Sequence, residues 1–468
     1  AYDSIDYGFL EKVLVDFNFP QMIIRLILFC VSSNNLSVLW NGEALPSFKA
    51  QRGLRQGDPL SPYLFILCME KLSHMIQDRV RLKHWKPIKV SSRGPPLSHL
   101  FFADDLMLFA QADAHQVDVI MECLNSFAAA SGLTLNLHKS KLFISPNVPR
   151  GEATVLSSRC NVPMTSDLGR YLGVPLIHGR VSSQTYAPLL DNLRNKLGSW
   201  KRNIMSRAGR RTLAQSVLNA VPIYTMQTAL LPTSICHRID RIVRNFIWGG
   251  EEHRSHGHLV NWDIVSSPKC YGGLGIRSAR ESNVALLAKM GWSMLMNDNS
   301  LACSVLRAKY LKHGTFETLA SQVNCSSTWR GILKSRGVLQ VGGKWLIGNG
   351  SSVNFWLDWW VGSKPLIHVV SPPMDNTLLG RNVADFLNDD KEWNLEAVQH
   401  VLPPEVLAEI HATPRPLCVS RDDHRFWAGT SSGSFTTKSA YSLLLQERCA
   451  TRQHLQMSWS WKIKCPKR

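Results

Sequence analysis

The sequence predicts an α+β protein with several domains, and three observations carry this prediction. The first 150 residues mix helical and strand patterns, residues 186 to 250 have helical spacing throughout, and a tryptophan-rich remainder mixes both again. A chain of 468 residues is also longer than one hydrophobic core supports, because single cores stop growing near about 250–300 residues. We therefore expect roughly two to four domains.

The charge balance favours polyanionic partners. The chain carries 53 Lys and Arg against 35 Asp and Glu, which gives a net charge of +18. Such an excess indicates nucleic acid first and an anionic membrane surface second. The excess is uneven: residues 1–150 carry 15 basic and 13 acidic side chains, whereas residues 194–254 carry 11 and 3. No membrane partner is expected, because the longest apolar run, Met22 to Val31, is short and contains Arg25.

The 11 cysteines are scattered and form no C-x-x-C pair. This pattern is typical of reduced thiols in an intracellular protein, where cysteine is mostly a small buried apolar residue. A zinc site built within this chain is not expected, because close-spaced ligand pairs are missing.

The first region predicts two helices and a hairpin. Ser61 to Arg79 has apolar residues at helical spacing, and Gln116 to Ser131 reads as a second amphipathic helix that Gly132 ends. His99 to Ala110 is a nearly continuous apolar run broken only by Asp104-Asp105. It predicts two short buried strands joined at the aspartate pair.

The middle region predicts helices only. Leu213, Val217 and Val221 share one face, and a further helix begins near Pro232 and ends at Gly249-Gly250. On that last helix three arginines share a sector away from the apolar stripe: Arg238, Arg241 and Arg244.

The remainder is rich in tryptophan, with 13 of the 15 from Trp200 onward. We expect most of them in cores, with base stacking as the other interpretation. Gly348-Asn349-Gly350 stands between two apolar runs and predicts a β-hairpin.

Asp104 and Asp105 are the first chemical signal. Two adjacent carboxylates within an apolar run are costly to bury. The pair therefore predicts either a solvated turn or a divalent cation site, since Mg²⁺ binds one or two carboxylates together with substrate phosphates. Two-metal phosphoryl transfer needs such carboxylates on a rigid support. The segment alone leaves both interpretations open.

The second signal is the loop Arg52-Gly53-Leu54-Arg55-Gln56-Gly57-Asp58, which opens the first predicted helix. Glycine lets a ligand approach the backbone closely, and basic residues beside a helix start suit phosphate. An ordinary loop with a helix cap is the other interpretation.

Taken in chain order, the loop that begins at Arg52 resembles motif B and the Asp104-Asp105 segment resembles motif C of reverse transcriptases from plant LINE-type, non-LTR retrotransposons. Further segments are similar in register: Ala1 to Asp6 resembles the tail of motif A, Ser131-Gly132-Leu133 with Asn136, Lys139 and Ser140 resembles motif D, and Tyr171 to Leu176 resembles the segment where the primer grip is expected. The resemblance extends over essentially the whole chain.

The resemblance implies a right-hand polymerase architecture. Residues 1–150 would be a palm remnant, 151–255 a primer-grip-like segment with a helical basic thumb, and 256–370 a connection region. Residues 371–468 would be a tryptophan-containing region that leads into a truncated zinc-binding segment, opening at Trp461 to Lys467.

The resemblance also implies residue roles. Asp104 and Asp105 would be catalytic carboxylates that hold Mg²⁺ or Mn²⁺. Gln56 and Gly57 would lie against the incoming nucleotide and the template base, and Tyr2 against the sugar 2′ position. Lys139 would assist the leaving phosphate; a solvated lysine at a strand start is the other interpretation.

Implied partners are an RNA template, a DNA primer and dNTPs, in a nuclear protein. Arg52 and Arg55 would contact nucleic acid, and the arginines of the last helix (Arg238, Arg241 and Arg244) would follow the phosphate backbone of the primer–template. A merely solvated helix face is the alternative for these three.

The catalytic aspartate of motif A is expected four residues before Ala1, and neither Asp3 nor Asp6 is its equivalent. We therefore expect a fragment cut at both ends, with little or no polymerase activity as given. The alternatives are a non-enzymatic nucleic-acid-binding remnant and an inert pseudogene product.

Overall fold

A computed structural model describes residues 2–33, 35–177, 179, 181–197, 205–249, 260–312, 314–317, 319, 325–370, 376–388, 390, 392–413 and 422–450. The chain divides into two compact units, residues 1–178 and residues 179–468. Helices and paired strands occur in both units, so the α+β class is confirmed. The finer four-part division stays a prediction, and its zinc-binding opening lies outside the described residues.

The α-helices of the first unit are Tyr7–Asp16, Gln21–Ser32, Ser61–Arg81, Ala114–Ser131 and Arg150–Cys160. The first begins where the Asp6 carboxylate accepts a hydrogen bond from the Phe9 N–H at 2.9 Å, which satisfies an otherwise unpaired donor. The helix Ala114–Ser131 ends at Gly132, whose φ of 76° lies in the left-handed region. Both predicted helices are thus confirmed, each longer by one turn or less.

The core of the first unit forms around the helix Ser61–Arg81. Its predicted apolar face is buried, with Leu64, Cys68 and Ile76 packed in one cluster with the helices Tyr7–Asp16 and Ala114–Ser131. Burial raises the pKa of the Cys68 thiol to about 12. That cysteine is therefore a packing residue and not a nucleophile.

Strands of the first unit, within the described residues, occur only as two-stranded antiparallel pairs. The pairs are Asn35–Leu36 with Phe48–Lys49, Leu39–Trp40 with Glu43–Ala44, Ile88–Lys89 with Pro96–Leu97, His99–Phe102 with Asp105–Leu108, and Arg170–Tyr171 with Val174–Pro175. The last pair turns through Leu172 and Gly173, with φ values of 51° and 80°.

The α-helices of the second unit are Ala187–Asn195, Arg207–Leu213, Ile223–Thr228, Thr233–Trp248, Trp262–Val265, Ala279–Leu295, Leu301–Tyr310, Ser327–Lys334, Arg336–Gly342, Asn376–Leu379, Pro404–Ala412 and Thr437–Ala450. The helical prediction for residues 186–250 is confirmed in its described part. Within that range, residues 198–204 and Gly250 lie outside the described residues.

One helical face differs from its prediction. Ala214 and Leu218 are fully buried, whereas Leu213 and Val217 are only half-buried. The cause is a π-helical turn over Ala214–Leu218, in which the Asn219 N–H donates to the Ala214 carbonyl five residues back at 3.0 Å. The wider turn moves the inward face by one residue.

The predicted hairpin at Gly348-Asn349-Gly350 is wrong. The strand Gly343–Leu346 instead pairs antiparallel with His424–Trp427. The glycine loop binds the Asp423 carboxylate, which accepts hydrogen bonds from the N–H groups of Gly348 at 2.7 Å and Gly350 at 2.9 Å. Burial alone would raise the pKa of Asp423, but these bonds and those from Ser352 outweigh it and lower the pKa.

The described tryptophans of the second unit mainly fill cores, as expected. Trp329, Trp356 and Trp427 are fully buried, and Trp329 stacks on Tyr310 at 4.6 Å between ring centroids. Among the described residues, no helix is both long enough and apolar enough to span a membrane.

Candidate functional site

The aspartate pair lies at the tip of a hairpin. The strands His99–Phe102 and Asp105–Leu108 pair antiparallel, with Phe102 opposite Asp105, so Ala103 and Asp104 form a two-residue turn. Ala103 has a φ of 51°, the left-handed conformation that such a turn requires. The hairpin prediction is confirmed, with Asp105 already in the second strand.

Both carboxylates are exposed, and the strands behind them are only partly buried. The expectation of buried strands is therefore wrong, because the described part of this sheet has two strands and covers one face only. Phe101 and Leu106 pack on the core of the first unit, while Phe102 and Asp105 are exposed. The alternation leaves the carboxylates facing solvent on a supported hairpin.

His99 anchors the base of this hairpin. Its Nε2 lies 2.9 Å from the Ser73 Oγ on the helix Ser61–Arg81, and its Nδ1 lies 2.9 Å from the Ser98 Oγ. Burial lowers the pKa of His99, opposed by the nearby Glu70. The neutral imidazole thus ties the hairpin to the main helix, a role that sequence reasoning missed.

The loop before that helix is bound to the start of the chain. The Gly53 N–H donates to the Ile5 carbonyl at 2.8 Å, and the Leu54 N–H donates to the Tyr2 carbonyl at 2.8 Å. The Tyr2 ring stacks on Phe65 at 4.7 Å between centroids. A Cβ on Gly53 would lie 2.7 Å from the Asp3 carbonyl oxygen, so only glycine fits this approach.

The segment from Ser131 to Leu133 packs against residues 2–6 as well. The Asp6 N–H donates to the Ser131 carbonyl at 2.9 Å. A Cβ on Gly132 would lie 2.5 Å from the Ser4 carbonyl oxygen. Residues 2–6 are therefore held between two segments that are distant from each other in the sequence.

The other predicted residues of this unit are all exposed: Arg52, Arg55, Gln56, Gly57 and Lys139. Gly57 has a φ of 93°, and nothing lies within 4 Å of the position a Cβ would take. The Lys139 N–H donates to the Asn136 side chain at 3.1 Å in a turn, so Lys139 does not begin a strand. No hydrogen bond, ion pair or ring contact joins the two aspartates to Gln56, Gly57 or Tyr2 within the described part of the chain.

The arginines of the helix Thr233–Trp248 have two environments. Arg238 and Arg241 are exposed, opposite the buried Ile235, Ile239 and Ile242. Arg244 is half-buried, and its Nε has no hydrogen-bond partner in the described structure. The shared sector is thus confirmed for Arg238 and Arg241 as an accessible surface, and Arg244 lies at its edge.

The aspartate pair can bind a magnesium-type cation if further ligands come from a substrate. The described residues contain no group of three or more His, Cys, Asp or Glu side chains that could enclose a metal. Two exposed carboxylates can still hold Mg²⁺ when substrate phosphates supply further oxygens. The donor set therefore fits a metal bound together with a phosphate substrate.

Comparison with known proteins places the family match in the first unit. Residues 1–176 match the family described as reverse transcriptase (RNA-dependent DNA polymerase), which is nearly the extent of the first compact unit. An Arabidopsis thaliana protein with a provisional ribonuclease H name is 32% identical over 303 residues, 63% of this chain and 48% of that protein.

Two animal proteins with transposable-element names are also similar. A retrovirus-related Pol polyprotein from a type-2 retrotransposable element of Drosophila melanogaster is 24% identical over 325 residues, 66% of this chain and 29% of that protein. An uncharacterized transposon protein of Xenopus laevis is 27% identical over 280 residues, 59% of this chain and 20% of that protein. The chain spans less than half the length of these three relatives. Residues 1–176 are thus similar to reverse transcriptases, and longer stretches of the chain are similar to proteins of transposable and retrotransposable elements.

Proposed function

We propose that the protein acts as an RNA-directed DNA polymerase of a LINE-type element, with Asp104 and Asp105 as metal-binding carboxylates. The observation that carries the proposal is the exposed carboxylate pair at a two-residue hairpin turn, within the segment that matches the reverse transcriptase family. A hairpin tied to a long helix is the rigid support that two-metal chemistry needs.

Asp104 and Asp105 would hold Mg²⁺ or Mn²⁺ through their carboxylate oxygens. The bound ion would activate the primer 3′ hydroxyl and neutralise the charge that develops on the triphosphate. The chain itself contributes the position: Ala103 sets the turn, and His99 fixes the strand that leads to it. Solvent exposure of both carboxylates leaves room for nucleotide phosphates.

The surface around Tyr2 and Gly57 is the proposed nucleotide site. Stacking on Phe65 holds the Tyr2 ring in one orientation, which suits a side chain that excludes a ribose 2′ hydroxyl by contact. The open space at Gly57 lets a ligand approach the backbone. Gln56 is exposed beside it, and Lys139 is a candidate for the leaving phosphate.

RNA template and DNA primer are the proposed partners of the exposed arginines. Arg52 and Arg55 belong to the first unit, and Arg238 and Arg241 to the second; Arg244 would contribute from the edge. Guanidinium contacts to phosphate depend on salt and little on sequence.

The test measures whether a matching dNTP with Mg²⁺ tightens binding of a labelled RNA–DNA primer–template. We expect tightening with the wild-type chain and none with Asp104→Asn or Asp105→Asn, while Glu152→Gln, an exposed carboxylate of the same unit, behaves as wild type. Equal tightening in all four proteins would contradict the assignment of the carboxylates.

Primer extension in the same mixture then asks whether the complex turns over. Robust extension that disappears in Asp104→Asn would support the polymerase. Binding that depends on salt but never on dNTP or Mg²⁺ would favour the non-enzymatic alternative, to which the exposed Arg238 and Arg241 already point.

A further inference from the structure

A half-open cavity of about 220 Å³ is lined by residues of the second unit that have no role assigned so far. The described residues that line it are Gln215, Asn219, Ala220, Ile223, Gly275 and Arg277. Four come from the π-helical turn and the residues after it, and two from the segment that leads into the helix Ala279–Leu295. No role considered above uses these side chains.

The π-helical turn builds one wall of this cavity. Ala214 and Leu218 fill the core, and the residue that follows each of them, Gln215 and Asn219, lines the cavity. The two amides are four residues apart and therefore lie on one face. Single π-helical turns inside helices occur often at functional sites, and here the turn brings two amide side chains to one opening.

Gln215 also fixes the opposite wall. Its Nε2 donates to the Leu274 carbonyl at 2.9 Å and to the Gly275 carbonyl at 3.2 Å. Both hydrogens of this amide are thereby used, and its Oε1 has no partner in the described structure. The bonds orient the amide, so Gln215 offers a fixed acceptor to a ligand.

Two further polar groups of the lining have free hydrogen-bonding capacity. Within the described residues, neither the Asn219 amide nor the Arg277 guanidinium has a side-chain hydrogen bond or an ion pair. Ala220 and Ile223 add apolar surface to the lining. The cavity thus offers an acceptor, an amide with both functions, a positive charge and a small apolar wall.

That combination matches the chemistry of one nucleotide. Glutamine and asparagine amides pair with base edges because they present a donor and an acceptor in one plane. Arginine binds phosphate or stacks on a base, and an apolar wall receives the face of a ring. The volume is below the ~300–1,000 Å³ typical of drug-sized ligands, which suits a single base. The net charge of +18 favours a base that belongs to a polyanion, that is, to a nucleic acid strand.

We propose that this cavity binds one unpaired nucleotide of a single-stranded RNA, with the amides of Gln215 and Asn219 at the base edge and Arg277 at the phosphate. The proposal rests on the proposed function only in taking nucleic acid as the partner. It adds a contact that reads a base, whereas the arginine contacts proposed above follow phosphates.

Fluorescence anisotropy of the full chain tests it with two probes, a short unstructured RNA and a blunt RNA–DNA duplex. Asn219→Leu and Arg277→Gln should each weaken single-strand binding about tenfold, the usual scale of one good base or phosphate contact. Duplex binding should change by less than about twofold. Arg280→Gln is the matched control, because it removes an exposed arginine three residues after Arg277 that does not line the cavity.

The outcomes separate this site from the polymerase. If the wild-type chain binds the duplex and both variants bind single-stranded RNA as tightly as wild type, the proposed nucleotide cavity is overturned and the proposed polymerase function is not. Equal losses in Arg277→Gln and Arg280→Gln, without an effect of Asn219→Leu, reduce it to general charge and also overturn it. Failure of the wild-type chain to bind either probe overturns both proposals.

Photocrosslinking of a 4-thiouridine RNA to the wild-type chain supplies an independent measurement. We expect the label in a peptide containing residues 215–223. Absence of label from that peptide would count against the site.

Discussion

At the scale of single residues, the aspartate turn depends on Ala103. Its φ of 51° lies in the left-handed region of the backbone. That conformation costs about 1–2 kcal/mol for a residue with a Cβ. Backbone strain of this kind persists where surrounding structure enforces it and is common at functional sites. Here the paired strands and the His99 anchor enforce it.

Substitution of Ala103 should follow this strain. Ala103→Gly relieves it and should leave the free energy of unfolding within about 1 kcal/mol of wild type. Ala103→Val adds a branched Cβ in the same conformation and should lower the free energy by about 1–2 kcal/mol more. Urea unfolding of the full chain measures both. A more stable Val variant would show that the turn is not left-handed at this position.

His99 predicts a pH dependence of stability. Burial lowers its pKa in the folded chain below the ordinary 6.5, so folding favours the neutral imidazole. This stabilisation is complete above pH 6.5 and is lost as the pH falls through the lower folded pKa. Ser73, Ser98, Phe101 and Glu70 face the ring, and Glu70 opposes the shift.

Unfolding midpoints between pH 8 and pH 5 check this sign for wild type and His99→Asn. We expect the wild-type midpoint to fall more steeply than that of the variant below about pH 6.5. His74→Asn is the control, because that exposed histidine lies on the same helix face as Glu70 without the hairpin anchor. Parallel curves for all three proteins would contradict a neutral, stabilising His99.

The sequence predicts those parts of the aspartate site whose contacts are between residues close together in the chain. The hairpin is local, so an apolar run broken by Asp104-Asp105 is sufficient to predict it. The His99 anchor is not local, because its partner Ser73 is 26 residues away on a helix. No pattern within the strand indicates that pairing, although a histidine in an apolar strand marks a polar atom in need of a partner.

At the scale of elements, the differences arise where distant groups change a local preference. Gly348-Asn349-Gly350 has the composition of a hairpin turn, yet its N–H groups bind Asp423, more than 70 residues along the chain. The strand before it therefore pairs with the residues that follow Asp423. The π-helical turn has a similar effect, since one extra residue moves the buried face from Leu213 to Ala214.

The helix Ala279–Leu295 carries a buried polar residue that predicts a large stability effect. The Asn283 side chain accepts from the Leu231 N–H at 2.8 Å and donates to the carbonyls of Met226 at 2.8 Å and Ala229 at 2.9 Å. Asn283→Leu leaves three buried backbone groups unpaired, at about 1–3 kcal/mol each. Partial compensation by water makes a loss of about 3–4 kcal/mol the expected result in urea unfolding.

Asn245→Leu is the comparison for that prediction. Asn245 is half-buried on the neighbouring helix Thr233–Trp248, and its side chain forms no hydrogen bond in the described structure. We expect a change within about 0.5 kcal/mol for a substitution away from such networks. Similar losses in the two variants would show that the Asn283 amide does not fix the packing of its helix.

At the scale of the whole molecule, motif chemistry and basic charge belong to different units. The reverse transcriptase match ends at residue 176, and the compact unit that contains it ends at residue 178. The strongest basic excess lies in residues 194–254, within the second unit. A polymerase built this way would hold nucleotide and metal on the first unit and obtain much of its affinity for nucleic acid from the second.

This division predicts how salt dependence responds to charge removal. Each phosphate contact contributes roughly 0.9 to the slope of log K against log salt concentration for duplex DNA. Replacing Arg238 and Arg241 by Gln should therefore reduce the slope for a primer–template by about one to two and weaken binding to all sequences alike. Lys364→Gln, an exposed lysine outside the basic stretch, should leave the slope unchanged. Anisotropy titrations across a range of KCl concentrations measure the slopes. Each guanidinium that neutralises a phosphate releases counterions, so its removal must lower the slope. An unchanged slope in the double variant would therefore show that Arg238 and Arg241 do not bind phosphate.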